Sequence, residues 1–290
     1  MSVEVWGMLI IGVAALVAGP ILAWPRVQAA SGVEKLLVLA PVFEAAPLAV
    51  FAMEHFTAAR DLMSIVPSWL PWHLFWTYLV GVCLLAAAVS FIAWRCVRWS
   101  ALLLALLFLI FVATIDLEGL FQEPHNRIIW ILTVRELAFS AGAMMLAGSA
   151  WPGGTTGPAL LRIGRTIIAA TCVFYAVEHF LYPHNVPGVP LEKITPEWIA
   201  APALITYFVG IVLLAAGPAL LIPKAARIAA TGAGAVLLLL TALFYIPILV
   251  AQLSISTPLA VEGLNYFYDT MLFAATVLLT GFPAEKPVSK

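Results

Sequence analysis

The sequence predicts an all-α, polytopic membrane protein of nine transmembrane helices. One N-terminal helix precedes two tandem, parallel four-helix repeats. Three observations predict it. The chain is 63% hydrophobic and only 10% charged, whereas soluble domains carry about 25% charged residues. Nine apolar runs approach the roughly 20 residues a spanning helix requires. The tripeptide Glu-His-Phe occurs twice, at Glu54-His55-Phe56 and Glu178-His179-Phe180, each time near the end of an apolar run.

Taken in order, the runs cover approximately 5–24, 36–57, 71–94, 99–118, 127–149, 164–182, 198–221, 227–251 and 262–282. The first is read as a retained helix: Met-Ser-Val-Glu before it has no positive charge, and the run exceeds the apolar core of a signal peptide. The implied organisation is an N-terminal helix within 1–30, a first repeat over 31–150 and a second, diverged repeat over 160–283. Lys and Arg fix the orientation. Arg26, Lys35, Arg95, Arg98, Arg162, Arg165, Lys224, Arg227, Lys286 and Lys290 fall in alternate gaps or at the C-terminus, ten of the fourteen basic residues. This alternation requires nine spans, an outside N-terminus and a cytoplasmic C-terminus. Trp residues cluster near both ends of the runs, as interfacial anchors do. The two longest polar stretches, 58–70 and 183–197, both lie outside and are broken by Pro67, Pro183, Pro187, Pro190 and Pro196. They read as caps on the bundle or short interfacial turns.

The repeat extends well beyond Glu-His. The copies lie 124 residues apart; the second then gains five residues, and the spacing becomes 129. At that spacing Trp69 matches Trp198, Tyr78 matches Tyr207, Gly81 matches Gly210, and the basic pair Arg95 and Arg98 matches Lys224 and Arg227. Glu136 aligns with Asp269, so an acid recurs inside the fourth helix of each half. An even number of helices per repeat makes both halves enter the membrane alike, about a pseudo-two-fold along its normal.

Several function classes are disfavoured. A net charge of −1 offers no footprint for nucleic acid. Cys83, Cys96 and Cys172 form no CxxC and read as small apolar residues. No HxxxH, HExxH or CxxCH spacing is present, so neither a metal site nor an intrinsic cofactor is expected.

Ionisable residues inside a membrane must be paired, hydrated or used. The candidate pocket residues are Glu54, His55, Asp116, His125, Arg127, Arg135, Glu136, Glu178, His179 and Asp269. Most lie toward the outer end by this topology. Glu136 is nine residues past Arg127, roughly 13 Å along a helix, so Arg135, Glu136 and Asp269 sit within the hydrocarbon. Arg135 is a natural partner for Glu54, Asp116 or Glu136 through its guanidinium fork. Two readings stand: an ion pair that fixes helix register, or a polar pocket opening outward inside each four-helix unit. His55 and His179 are compatible with a hydrogen-bonded structural role, with acid–base or ligand-binding chemistry, or with metal ligation. Glu44 is a separate buried acid, either a relay site or a satisfied carboxyl. Tyr78 with Gly81, and Tyr207 with Gly210, mark close helix approach.

The pattern resembles the DoxX-like family of bacterial four-helix membrane proteins. The resemblance is carried by Glu54-His55-Phe56, Val66-Pro67-x-Trp69-x-Pro71, Tyr78-x-x-Gly81, Arg95 and Arg98, and the stretch Pro124-His125-Asn126-Arg127…Trp130…Arg135-Glu136-Leu137-Ala138. The first half matches well. The second lacks the Arg-Glu step and the His-Asn-Arg. The resemblance implies a four-helix fold used twice, a bacterial inner (plasma) membrane location and a quinone-linked redox or redox-accessory role. Two alternatives are a non-catalytic binding or transport module for a small amphiphile, and an assembly subunit whose N-terminal helix docks another membrane protein. The partners expected are the lipid bilayer, a quinone or small hydrophobic ligand, and another membrane subunit.

Overall fold

Side-chain caps and prolines set where the helices begin. Ser2 accepts a hydrogen bond from the Val5 amide, Asn126 from Ile128 and Ser256 from Leu259, so each of these N-termini has one otherwise orphaned donor satisfied. In the computed structural model, which describes residues 2–283, these starts open α1 (Val3–Ala29), α5 (Arg127–Ser149) and α9 (Thr257–Leu279). Between them run α2 (Glu34–Thr57), α3 (His73–Ala93), α4 (Val97–Gln122), α6 (Thr156–Leu181), α7 (Pro202–Leu221) and α8 (Pro223–Leu253). Lys286 and Lys290, two of the residues used to orient the C-terminus, lie outside the described residues.

The molecule is all-α and polytopic. Helices α1 to α8 are each long and apolar enough to cross a membrane. α9, the ninth expected span, has the length, at 23 residues, but is not among those eight. Glu262, Asn265 and Asp269 lower its apolarity, and protein rather than lipid surrounds it, with residues 267–279 all buried. Other boundaries shift outward. α1 continues through Pro20 and Pro25 to Ala29, and α6 starts at Thr156, drawing Arg162 and Arg165 into the helix. Pro223 at the first position of α8 draws Lys224 and Arg227 into the start of the helix, in its first and second turns.

α2, α5 and α9 are the enclosed elements. Of the apolar windows, 72% of α2 and 56% of α5 are buried, against 28% of α1. α1 lies outermost, on α2; α2 packs on α3 and α9; α5 packs on α4, α6 and α9; α6 packs on α7, and α8 on α7 and α9. The basic gaps gather at one end, where Arg26 lies 4.0 Å over the Trp94 ring and Arg227 pairs with Glu34 at 2.6 Å.

Local features recur at the repeat spacings, 124 residues up to the Glu-His-Phe motif and 129 after it. α4 contains a π-helical turn at Val112–Asp116 and α8 one at Thr241–Tyr245. Trp72 and Ala201, which precede α3 and α7, both take left-handed backbone angles, with φ of 61° and 50°. Phe56 stacks on Tyr78 at 6.5 Å, and Phe180 on Tyr207 at 6.3 Å.

Candidate functional site

The end of α2, the π-turn of α4, the middle of α5 and the first half of α9 converge on one cluster. Among the described residues Arg135 is its only cation. Its Nη1 donates to Asp269 Oδ2 at 2.8 Å and its Nη2 to Glu136 Oε1 at 3.0 Å. Of the three partners expected from sequence, Glu136 pairs with Arg135 and Glu54 and Asp116 do not; Asp269, which was not among them, is the second acid. Neighbouring helical positions point about 100° apart. Asp269 arrives from a different helix, and Arg135 bridges the two carboxylates. Glu54 accepts instead from Asn265 Nδ2 of α9 at 3.0 Å. Asp116 Oδ2, Glu136 Oε2 and Arg135 Nε are buried and have no hydrogen-bond partner among the described residues. Buried polar atoms without partners are costly, and they concentrate where binding or catalysis occurs.

His55 Nδ1 lies 2.7 Å from the Phe51 carbonyl oxygen. A carbonyl only accepts, so Nδ1 carries the proton, and in the neutral ring Nε2 is left as an acceptor. His55 lines two adjoining cavities. The larger, about 710 Å³, runs between α3 and α4 beneath the 58–72 connection; its walls are apolar, including Val80, Leu107 and Phe111, and its inner end is formed by His55, Asp116, Arg135 and Glu136. The smaller, about 220 Å³, shares His55, Arg135 and Glu136 and reaches Glu54, Asn265 and Asp269. Leu79 and Ile110 on the rim are 37% and 46% exposed, so the cleft faces outward between mid-helix positions of α3 and α4.

The remaining sequence-predicted residues lie elsewhere. His125 is exposed, away from both cavities. Arg127 leaves the cluster altogether: its Nε donates to Glu178 at 2.6 Å, its Nη2 to the Pro190 carbonyl at 2.6 Å, and its guanidinium lies 3.9 Å over Tyr182. His179 is fully buried and fully bonded, with Nδ1 donating to the Tyr175 carbonyl and Nε2 accepting from the Gly188 amide at 2.9 Å. Among the described residues an open polar cleft is present in the first half, and the corresponding space in the second half is filled. The physical cause is the 183–197 connection. It does not merely cap the bundle, because residues 186–190 are all buried within it. Glu44 is 1% exposed, its Oε2 has no hydrogen-bond partner among the described residues, and it lines neither cavity.

Sequence reasoning missed Asn265, Tyr245 and Gly188. Tyr245 stands 129 positions after Asp116 and was findable at that register. The five inserted residues were visible as an insertion, but not their destination.

These features define a polytopic, all-α membrane protein with one charge-lined cleft that faces outward between two helices. Residues 44–135 match the family model described as "Domain of unknown function (DUF8561)". That stretch contains α3, α4, the 58–72 connection, His55, Asp116 and Arg135, which together build most of the cleft. No curated protein and no solved structure matches the chain.

Proposed function

We propose that this chain is a DoxX-like protein of the bacterial inner membrane that binds a small amphiphile, a quinone-type molecule, in the α3–α4 cleft as a redox or redox-accessory component. The observation that carries the reading is the continuity of a 710 Å³ apolar cleft with the end formed by His55, Asp116, Arg135 and Glu136. Its volume suits a small-molecule site, typically about 300–1,000 Å³. An apolar body lies along α3 and α4, a polar head meets the charged end, and the outward rim lets a tail pass to lipid. The basic end of the bundle faces the cytoplasm by the Lys and Arg distribution, so the cleft's charged end lies toward the outer leaflet. The 129-residue register of π-turns and left-handed residues, with stacked aromatic pairs whose Phe follows the 124-residue and whose Tyr the 129-residue spacing, supports descent from a duplicated four-helix unit.

Transport between the halves has less support. The seam is closely packed: a Cβ on Gly142 of α5 would lie 2.5 Å from Thr276 Cγ2 of α9. Docking of α1 on another subunit also loses ground, since its small-residue face, with Gly7, Gly12 and Gly19, is used against Met53, Val50, Tyr268 and Val42 of this chain.

The test is equilibrium binding of a short-tailed benzoquinone to the purified chain in lipid nanodiscs. Quenching of Trp69 and Trp76, which line the cleft, should saturate. Val80→Phe, which fills the apolar wall, should abolish saturation while thermal stability is retained. Absence of saturable binding in the unsubstituted protein overturns the reading.

A further inference from the structure

The second half contains a cleft built on the same plan, and it ends differently. Along α7 and α8 a cavity of about 510 Å³ is lined by Trp198, Val209, Val236, Leu239 and Leu240. At the 129-residue register these correspond to Trp69, Val80, Leu107, Ile110 and Phe111, all of which line the α3–α4 cleft. The apolar groove is thus present twice. The first reaches its histidine, whereas the second does not touch His179.

What stands in the way is the buried 186–190 segment, and its contacts are informative. The Gly188 amide donates to His179 Nε2 at 2.9 Å. The Pro187 carbonyl accepts from Tyr245 Oη at 2.5 Å. The Asn185 carbonyl accepts from Thr206 Oγ1 at 3.3 Å. A Cβ on Gly188 would lie 2.8 Å from Thr270 Cγ2 and 3.3 Å from Leu240, so only the bare peptide fits. The first-half counterparts of His179, Tyr245, Thr206 and Leu240 are His55, Asp116, Thr77 and Phe111, and every one lines the 710 Å³ cleft. The inserted segment therefore occupies the second half's version of the space at the charged end of that cleft.

We infer that the head group bound in the α3–α4 cleft takes the place of the Pro187–Gly188 peptide and is a planar group with two hydrogen-bond donors, one for His55 Nε2 and one for Asp116, as the hydroxyls of a quinol provide and the carbonyls of the matching quinone do not. The inference rests on the amphiphile-binding reading above and narrows it to the reduced form. A peptide is planar, and Gly188 supplies the donor that His179 accepts. His55 presents the same acceptor, because its Nδ1 is held by the Phe51 carbonyl just as that of His179 is held by Tyr175. At the second contact the polarity is reversed: where Tyr245 donates to a carbonyl, Asp116 presents a buried carboxylate oxygen with no partner among the described residues. The occupant must therefore bring a donor there. The second half satisfies its own head site and keeps a groove fit only for an apolar tail.

Binding of a short-tailed benzoquinol and of its quinone to the full chain in nanodiscs, measured anaerobically with the stoichiometry of each, tests this. The quinol should bind more tightly by on the order of tenfold, the effect of about one hydrogen bond, with one molecule per chain. His55→Phe should bring quinol affinity down to that of the quinone and leave the quinone unchanged. Equal or tighter quinone binding, or two quinol molecules per chain, overturns this inference while leaving the amphiphile reading intact. Binding of neither form overturns both. The wild-type affinity ratio decides the matter even where His55→Phe fails to fold.

Discussion

Arg135 carries more of the site than any other residue, because two carboxylates from different helices depend on it. Removing one partner of a buried ion pair leaves an uncompensated charge and costs about 3–5 kcal/mol. Arg135→Leu is expected to lower stability by that order in detergent, measured by thermal or denaturant unfolding, whereas Asp269→Asn, which leaves Arg135 its bond to Glu136, should cost less. Equal effects would mean that the Arg135–Glu136 contact adds nothing beyond the Arg135–Asp269 pair. The intramembrane acids and the arginine were all legible in the sequence, since ionisable residues are rare in apolar runs. Their pairing was legible only in part: Glu136 was among the expected partners, and Asp269 was not. Arg135 and Asp269 are 134 residues apart, and charge alone does not rank Asp269 above the nearer Glu54 and Asp116.

At the scale of elements, glycine sets how closely α3 approaches α2 and α7 approaches α6. A Cβ on Gly81 would lie 2.8 Å from Phe56 and 2.9 Å from His55 Cβ; on Gly210 the nearest distances are 3.1 Å to His179 Cβ and 3.2 Å to Phe180. Gly81→Ala must push the helices apart, at a cost of about 1–3 kcal/mol for overpacking. Gly210→Ala should cost less, and unfolding of the two variants side by side checks the ranking. Gly81→Ala should also weaken cleft binding, because the atom displaced belongs to His55. The helix pairs were readable from the repeated Tyr and Gly. The π-turns were not, because apolar periodicity does not distinguish one wide turn from its regular neighbours. Each widened turn nevertheless matters, placing Asp116 in the cleft in α4 and Tyr245 against the Pro187 carbonyl in α8.

Across the whole molecule, the two halves share one site. The cleft belongs to the first half, yet Asn265 and Asp269 of the second hold Glu54 and Arg135. Gly12 of α1 also leaves room for the Tyr268 hydroxyl, which ties the N-terminal helix to the same seam. The orientation proposed from basic residues is open to direct measurement. Ser64 and Thr155 are exposed and lie in connections predicted to face opposite compartments. In a background lacking the native cysteines, Ser64→Cys should react with a membrane-impermeant maleimide on intact cells and Thr155→Cys only after lysis; the reverse pattern would invert the topology.

Composition, run length and the doubled Glu-His motif by themselves determined the all-α polytopic class, the approximate helix positions and the residues worth watching. These follow from local properties: apolarity over about 20 residues and the cost of a charge in lipid. Tertiary structure alone decided what fills the second half's site, that Asp269 joins Glu136 on Arg135, and that the ninth helix is enclosed by protein. Those outcomes depend on how separate helices and one five-residue insertion fill shared space, and side-chain packing over such sequence distances leaves no periodic trace in the chain.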